Sequence, residues 1–247
     1  MDRRWLLGQG KRLVVWLVAA LVVVLAVALA LFGTPLHGTA DSIAAVEANP
    51  DVSVTVENGT YVLEPADGEA SAGLVFYPGG RVHPDAYLAS LAPLAAQADV
   101  RVVVPRMPLS LAVFDQGAAD RYVSGEFRWY VGGHSLGGVM ACRYARANPD
   151  RVAGVVLFAS YCDRDISGTG LAALSVAGSA DTVLDRDAYR TNLANLPADA
   201  TVRTLPLNHT QFGSYRGQAG DEPSDLPYAA AHGRLAEVVV PWIQGQP

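Results

Sequence analysis

The chain has 247 residues, 51% of them apolar and 17% charged, with a formal net charge of −6. That is enough apolar material for a full core, and alternating strand-like and helix-like segments favour one α/β domain. Four of the 18 basic residues (Arg3, Arg4, Lys11, Arg12) and one of the 24 acidic ones (Asp2) lie in the first 33 positions. The remainder therefore carries 14 basic against 23 acidic groups, which argues against nucleic acid as a partner.

Residues 1–12 form a basic N-terminus, and Leu13 to Phe32 follows as an uncharged apolar run. As a helix, 13–32 is long enough to cross about 30 Å of hydrocarbon. The preceding basic residues place the N-terminus in the cytoplasm and everything beyond the run outside. The expectation is one transmembrane helix acting as an uncleaved signal anchor, with the catalytic domain extracytoplasmic. A cleavable signal peptide is the competing reading, but its apolar stretch is usually only about 7–15 residues long. Ala28-Leu29-Ala30 lies inside the run and Gly38-Thr39-Ala40 lies far beyond it, so both are poorly placed for cleavage.

Residues 33–50 read as a linker with a helical stretch, Ser42 to Asn49, stopped by Pro50; the domain proper is 51–247. Val52 to Val56 alternates, Asn58-Gly59 marks a hairpin turn and Tyr61 to Leu63 returns, which predicts an N-terminal antiparallel hairpin. Strands are then expected at Gly73–Tyr77, Val100–Val104, Arg128–Val131 (preceded by Phe127), Ala153–Ala159, Ala172–Ala177 and Ala200–Leu205. Helices are expected at Pro84–Gln97, Gln116–Val123, after Leu136, from Asp185, and at Leu226–Ile243 with an interruption near Gly233. Continuous apolar strands of this kind belong in a mostly parallel sheet with helices on both faces. The short connection Tyr161 to Leu171 leaves no room for a lid domain, so the site should be open.

Gly133-His134-Ser135-Leu136-Gly137-Gly138 joins the strand Arg128–Val131 to the helix that follows it. A G-x-S-x-G sequence in that setting holds its serine on a sharp turn with the hydroxyl pushed out of the sheet, making Ser135 the candidate nucleophile. A serine needs a base, and a base needs an orienting carboxylate. Of the two histidines downstream, His209 follows a strand in a loop suited to a movable base, whereas His232 lies within the last helix. Asp181, just past a strand end, is the candidate acid, ahead of Asp163, Asp165, Asp185 and Asp187; Asp185 also suits a helix cap. The oxyanion donors are expected from the Leu136 N–H and from the Pro78-Gly79-Gly80-Arg81 loop, with Gly80 first and Arg81 next.

Phe76-Tyr77-Pro78-Gly79-Gly80, the stretch Pro108 to Asp115, Gly133 to Gly138, Ala159-Ser160-Tyr161, Gly178-Ser179-Ala180-Asp181 and Asn208-His209-Thr210-Gln211-Phe212-Gly213 together resemble the α/β-hydrolases. More narrowly they resemble a small cap-less, membrane-anchored group distantly similar to dienelactone hydrolases. The resemblance runs from about Val52 to Trp242. It implies the α/β-hydrolase fold, with a Ser-His-Asp triad of Ser135, His209 and Asp181. Pro78-Gly79 stands where many relatives have His-Gly, and Ser135 stands where a dienelactone hydrolase proper has cysteine, which argues against that activity.

The expected function is hydrolysis of a carboxylic ester or related acyl bond, in a small-molecule or lipid-like substrate, through an acyl-enzyme and with no metal or organic cofactor. An envelope acyltransferase using the same triad, or a non-catalytic scaffold of the same fold, are the alternatives. Cys142 and Cys162, two helical turns past Ser135 and beyond the end of the next strand, are expected to lie too far apart for a disulfide. The sequons Asn58-Gly59-Thr60 and Asn208-His209-Thr210 would be glycan acceptors in a eukaryotic secretory pathway; a glycan beside His209 would obstruct the site, which favours a bacterial envelope protein.

Overall fold

The computed structural model describes residues 3–32, 34–125 and 128–246, the side chains of 3–10 and 28–32 being outside the described set. Gly33 and Phe127, assigned above to the linker and to the strand before Ser135, also lie outside it. The chain divides into two compact units, one ending at Pro35 and the other spanning Leu36–Pro247.

The first unit contains helix α1, Arg3–Phe32. Its side chains from Lys11 to Val27 are all exposed. Among the described residues no helix is long and apolar enough to cross a membrane, and the expected span 13–32 runs on into 28–32, whose side chains are not described. The structure therefore does not bear out the transmembrane helix.

The second unit is built on eight strands: β1 Val52–Glu57, β2 Thr60–Pro65, β3 Ala72–Tyr77, β4 Val100–Val104, β5 Arg128–His134, β6 Gly154–Phe158, β7 Ala172–Gly178 and β8 Thr201–Leu205. They form one sheet in the order β1-β2-β4-β3-β5-β6-β7-β8, antiparallel at β1–β2 and β2–β4 and parallel elsewhere. The hairpin turns at Asn58 and Gly59, both at positive φ, as a two-residue primed turn requires. The helices are α2 Ala40–Glu47, α3 Leu88–Ala98, α4 Leu136–Ala147, α5 Arg186–Asn192 and α6 Tyr228–Gln244.

Successive strand residues point to opposite faces, and both faces are covered. Leu74, Phe76, Val102, Tyr130, Val156 and Val176 pack with α3 and α6, while Val75, Val103, Trp129, Val131, Val155 and Leu157 pack with α4. Each fully buried aliphatic or aromatic side chain contributes about 1.5–3 kcal/mol, and β5 and β6 are buried almost end to end.

Several boundaries differ from expectation. The helix at 116–123 is only a 3₁₀ turn, Ala118–Arg121, and 84–87 is a 3₁₀ turn leading into α3. Helix α6 is not interrupted at Gly233. A glycine in a helix costs about 1 kcal/mol, less than is gained by the continuous buried stripe Ala231, His232, Leu235, Val239 and Ile243.

The stretch expected as linker belongs to the second unit from Leu36 onward. Leu36 N–H donates to the Arg81 carbonyl (2.7 Å), His83 N–H donates to the Leu36 carbonyl (2.8 Å), and Thr39 N–H donates to the Ser214 carbonyl (2.7 Å). Residues 36–39 thus form a strap joining the loop after β3 to the loop after residues 209–212.

Candidate active site

Ser135 stands between β5 and α4 at φ 52°, ψ −124°, a backbone conformation that non-glycine residues rarely adopt. Its neighbours make room for it. A Cβ on Gly133 would lie 2.5 Å from the Gly137 carbonyl carbon, and one on Gly137 would overlap the Tyr77 carbonyl. Ser135 is half-buried, and Ser160 Oγ donates to its carbonyl oxygen at 2.7 Å.

The base and acid are already paired. His209 Nδ1 lies 2.9 Å from Asp181 Oδ2, with the two side chains 2% and 0% exposed. The other Asp181 oxygen accepts the N–H groups of Val183 (2.8 Å) and Leu184 (2.9 Å). Burial raises the Asp181 pKa, but the His209 bond and charge and these two N–H donors outweigh it, so the carboxyl is held below its ordinary value. With Asp181 accepting through both oxygens, His209 is held with its proton on Nδ1, which leaves Nε2 as the basic nitrogen.

His209 does not sit on a movable loop. It opens a 3₁₀ turn, His209–Phe212, closed by a capping box in which Asn208 and Gln211 exchange side-chain and main-chain bonds. The Asp221 carboxylate accepts the N–H groups of His209 (3.0 Å) and Thr210 (2.9 Å), and Asn208 Nδ2 donates to the Glu222 carbonyl at 2.8 Å. Asn208 is buried and fully engaged, so its sequon serves as a cap. His232 has no part in proton transfer; its buried Nε2 holds the Gly213 carbonyl at 2.8 Å.

The competing acids are engaged elsewhere. Arg143 holds Asp163 through both carboxylate oxygens, Asp165 binds Ser167, Asp185 caps α5 through the N–H groups of Asp187 and Ala188, and Asp187 pairs with Arg190.

The loop after β3 has most of its donors committed. Gly79 N–H donates to Tyr87 Oη (2.9 Å), Arg81 N–H to the Ser110 carbonyl, Val82 N–H to the Gly79 carbonyl and His83 N–H to the Leu36 carbonyl. Among the described residues, Gly80 N–H alone in this loop is uncommitted. Leu136 opens α4, so its N–H has no helical partner either. The two residues adjoin: a Cβ on Gly80 would lie 3.4 Å from Leu136 Cδ2, an ordinary contact. The glycine that sterics demand is instead Gly79, where a Cβ would fall 2.8 Å from His134 Nδ1.

His134, the residue before Ser135, is completely buried. Tyr87 Oη, having accepted from Gly79, lies 3.0 Å from its Nδ1, and its ring centroid is 4.4 Å from that of His209. Burial, then the neighbouring His209 charge, push its pKa well below the usual histidine value, so it stays neutral beside the base. Tyr87, His134 and Asp221 were not singled out from sequence as supports of the site; only the assembled loops reveal them.

The cysteines overturn the free-thiol expectation. Cys142 and Cys162 are disulfide-bonded, with Cα atoms 5.4 Å apart. After β6 the chain turns down along α4 instead of away from it, fastened by Ser160 to Ser135 and by Asp163 to Arg143. Closing a loop with sequence separation 20 stabilises the fold by about 3 kcal/mol.

The structure brings His209 and Asp181 into direct contact; among the described residues, Ser135 Oγ makes no hydrogen bond to His209. Comparison with known proteins is informative at the level of family. No curated protein sequence matches the chain. Among solved structures, the chain is similar to a "predicted CIB-like hydrolase" from Thermoplasma acidophilum, with 15% identity, a TM-score of 0.54, and coverage of 78% of this chain and 99% of that one. That likeness concerns the fold. The model of the alpha/beta hydrolase family matches residues 73–232, well over half of the chain, and this protein belongs to that family.

Proposed function

We propose that the protein is a serine hydrolase that cleaves a carboxylic ester. His209 takes the proton from Ser135, Ser135 attacks the carbonyl, Gly80 and Leu136 N–H groups hold the oxyanion, and Asp181 orients His209 and stabilises its charged form. Water activated by His209 then releases the acyl group. The observation that carries this reading is the fully buried 2.9 Å His209–Asp181 pair, its spare oxygen already bonded, on the same mostly parallel sheet whose strand β5 ends at a serine with φ 52°.

We further infer an address outside the cytoplasm, with 13–32 as anchor. The uncharged apolar run behind Arg3, Arg4, Lys11 and Arg12 supports it, as does the Cys142–Cys162 bond, since disulfides persist mainly in oxidising compartments.

The test is an ester chain-length panel on the full-length protein beside Ser135→Ala, with fluorophosphonate labelling of both. Turnover and labelling that vanish together in the variant are expected. Unchanged turnover in Ser135→Ala would remove the mechanism.

A further inference from the structure

A second cluster of imidazole and carboxylate groups lies away from the triad. His37 Nδ1 is 2.7 Å from Asp85 Oδ2, His83 Nδ1 is 3.0 Å from the same oxygen, and Gly38 N–H donates to Asp85 Oδ1 at 2.9 Å. The three potential ligand atoms all lie within 4.8 Å of one another. We propose that His37, His83 and Asp85 bind a divalent transition-metal ion of the zinc class.

The first argument is convergence. Two imidazole nitrogens from separate segments, His37 Nδ1 at 2.7 Å and His83 Nδ1 at 3.0 Å, meet one oxygen of a buried carboxylate whose other oxygen is taken by the Gly38 N–H. Each Nδ1 can hold a lone pair with its proton on Nε2, so the three atoms offer a ready ligand set at one point.

The second argument is shape. Metal–ligand bonds of about 2.0–2.1 Å place tetrahedral ligand atoms about 3.3 Å apart. The existing separations of 2.7 and 3.0 Å need to open by only a few tenths of an ångström. On binding, each neutral imidazole presents Nδ1 with its proton on Nε2, a tautomer shift that releases no net proton.

The third argument concerns access and class. Asp85 is buried and fixed by the Gly38 N–H, whereas the His37 side chain is 55% exposed, which leaves an open side for water to complete the coordination. Two imidazole nitrogens with one carboxylate oxygen suit zinc, cobalt or nickel better than magnesium or calcium. A bound ion would tie the strap at 36–38 to the loop that carries Gly80.

The test is titration of the metal-free full-length protein with Co²⁺, read by its visible absorption, with Zn²⁺ and Mg²⁺ as competitors. One saturable equivalent is expected, displaced by Zn²⁺ and not by Mg²⁺. His37→Ala, a change at a half-exposed side chain, should weaken binding by more than about tenfold, and His209→Ala should leave it intact. Zn²⁺ should also raise the melting temperature of the parent and not of His37→Ala. Absence of a saturable signal, displacement by Mg²⁺, full affinity in His37→Ala, or loss of binding in His209→Ala would each overturn the proposal. None of these readouts depends on ester hydrolysis.

Discussion

The molecule holds two groupings of histidine against aspartate, and they are built in opposite ways. At His209–Asp181 both side chains are buried, and every Asp181 oxygen has a matched donor. At His37, His83 and Asp85 one imidazole is half in solvent, and two ring nitrogens share a single carboxylate oxygen. Complete bonding in a dry setting holds one imidazole to one carboxylate in a fixed orientation; sharing at the surface directs two ring nitrogens at one point. The residue types are the same, and burial separates the two roles.

The sharpest way to break this contrast is at the buried grouping. Ser135→Ala should lower kcat by about 10⁶-fold with little change in fold, measured by single-substrate kinetics beside circular dichroism. Asp181→Asn should cost about 10⁴-fold, because an amide no longer holds the Nδ1–H tautomer of His209. A loss below tenfold would mean that burial of the pair is structural.

At the other grouping the expected effects are on stability. Asp85→Ala strips the Gly38 N–H of its acceptor and should cost about 1–3 kcal/mol in urea denaturation. His37→Ala, at an exposed pair, should cost only about 0–1 kcal/mol by the same measurement.

Acid sharpens the contrast again. Burial lowers the pKa of His232, even though its bond to the Gly213 carbonyl raises it in part. Below the unfolded value of about 6.5, the unfolded chain takes up a proton that folded His232 refuses. Stability from this group is therefore complete above about pH 6.5 and declines by up to about 1.4 kcal/mol per pH unit below it, until the folded pKa is reached. His134 contributes with the same sign. His232→Gln should flatten the fall in unfolding free energy between about pH 7 and 5; an unaltered slope would mean that this ring is solvated.

Much of the candidate site was legible in the sequence because its parts lie where strands end. Ser135, Asp181 and His209 each follow a strand whose apolar pattern is plain, and the parallel sheet brings those ends together. The supports were not legible. Tyr87 reaches Gly79 and His134 only because the 3₁₀ turn before α3 lies under the loop after β3. Asp221 reaches the His209 turn from twelve residues downstream. The disulfide escaped for a similar reason: helix rise and strand length fix the distance between Cys142 and the end of β6, but not the direction taken after Ser160. Gly79 and Gly80 look alike in sequence, and only their neighbours show which one a Cβ would disturb.

The strap at 36–39 has a mechanical consequence. Its first hydrogen bonds hold Arg81, one residue past Gly80, and its last holds Ser214, five past His209. Tension applied at Pro35 would therefore load the loops that carry Gly80 and His209 before any strand of the sheet. A truncated protein beginning after Ala40 would lose this hook altogether, so its N-terminal boundary belongs at or before Pro35.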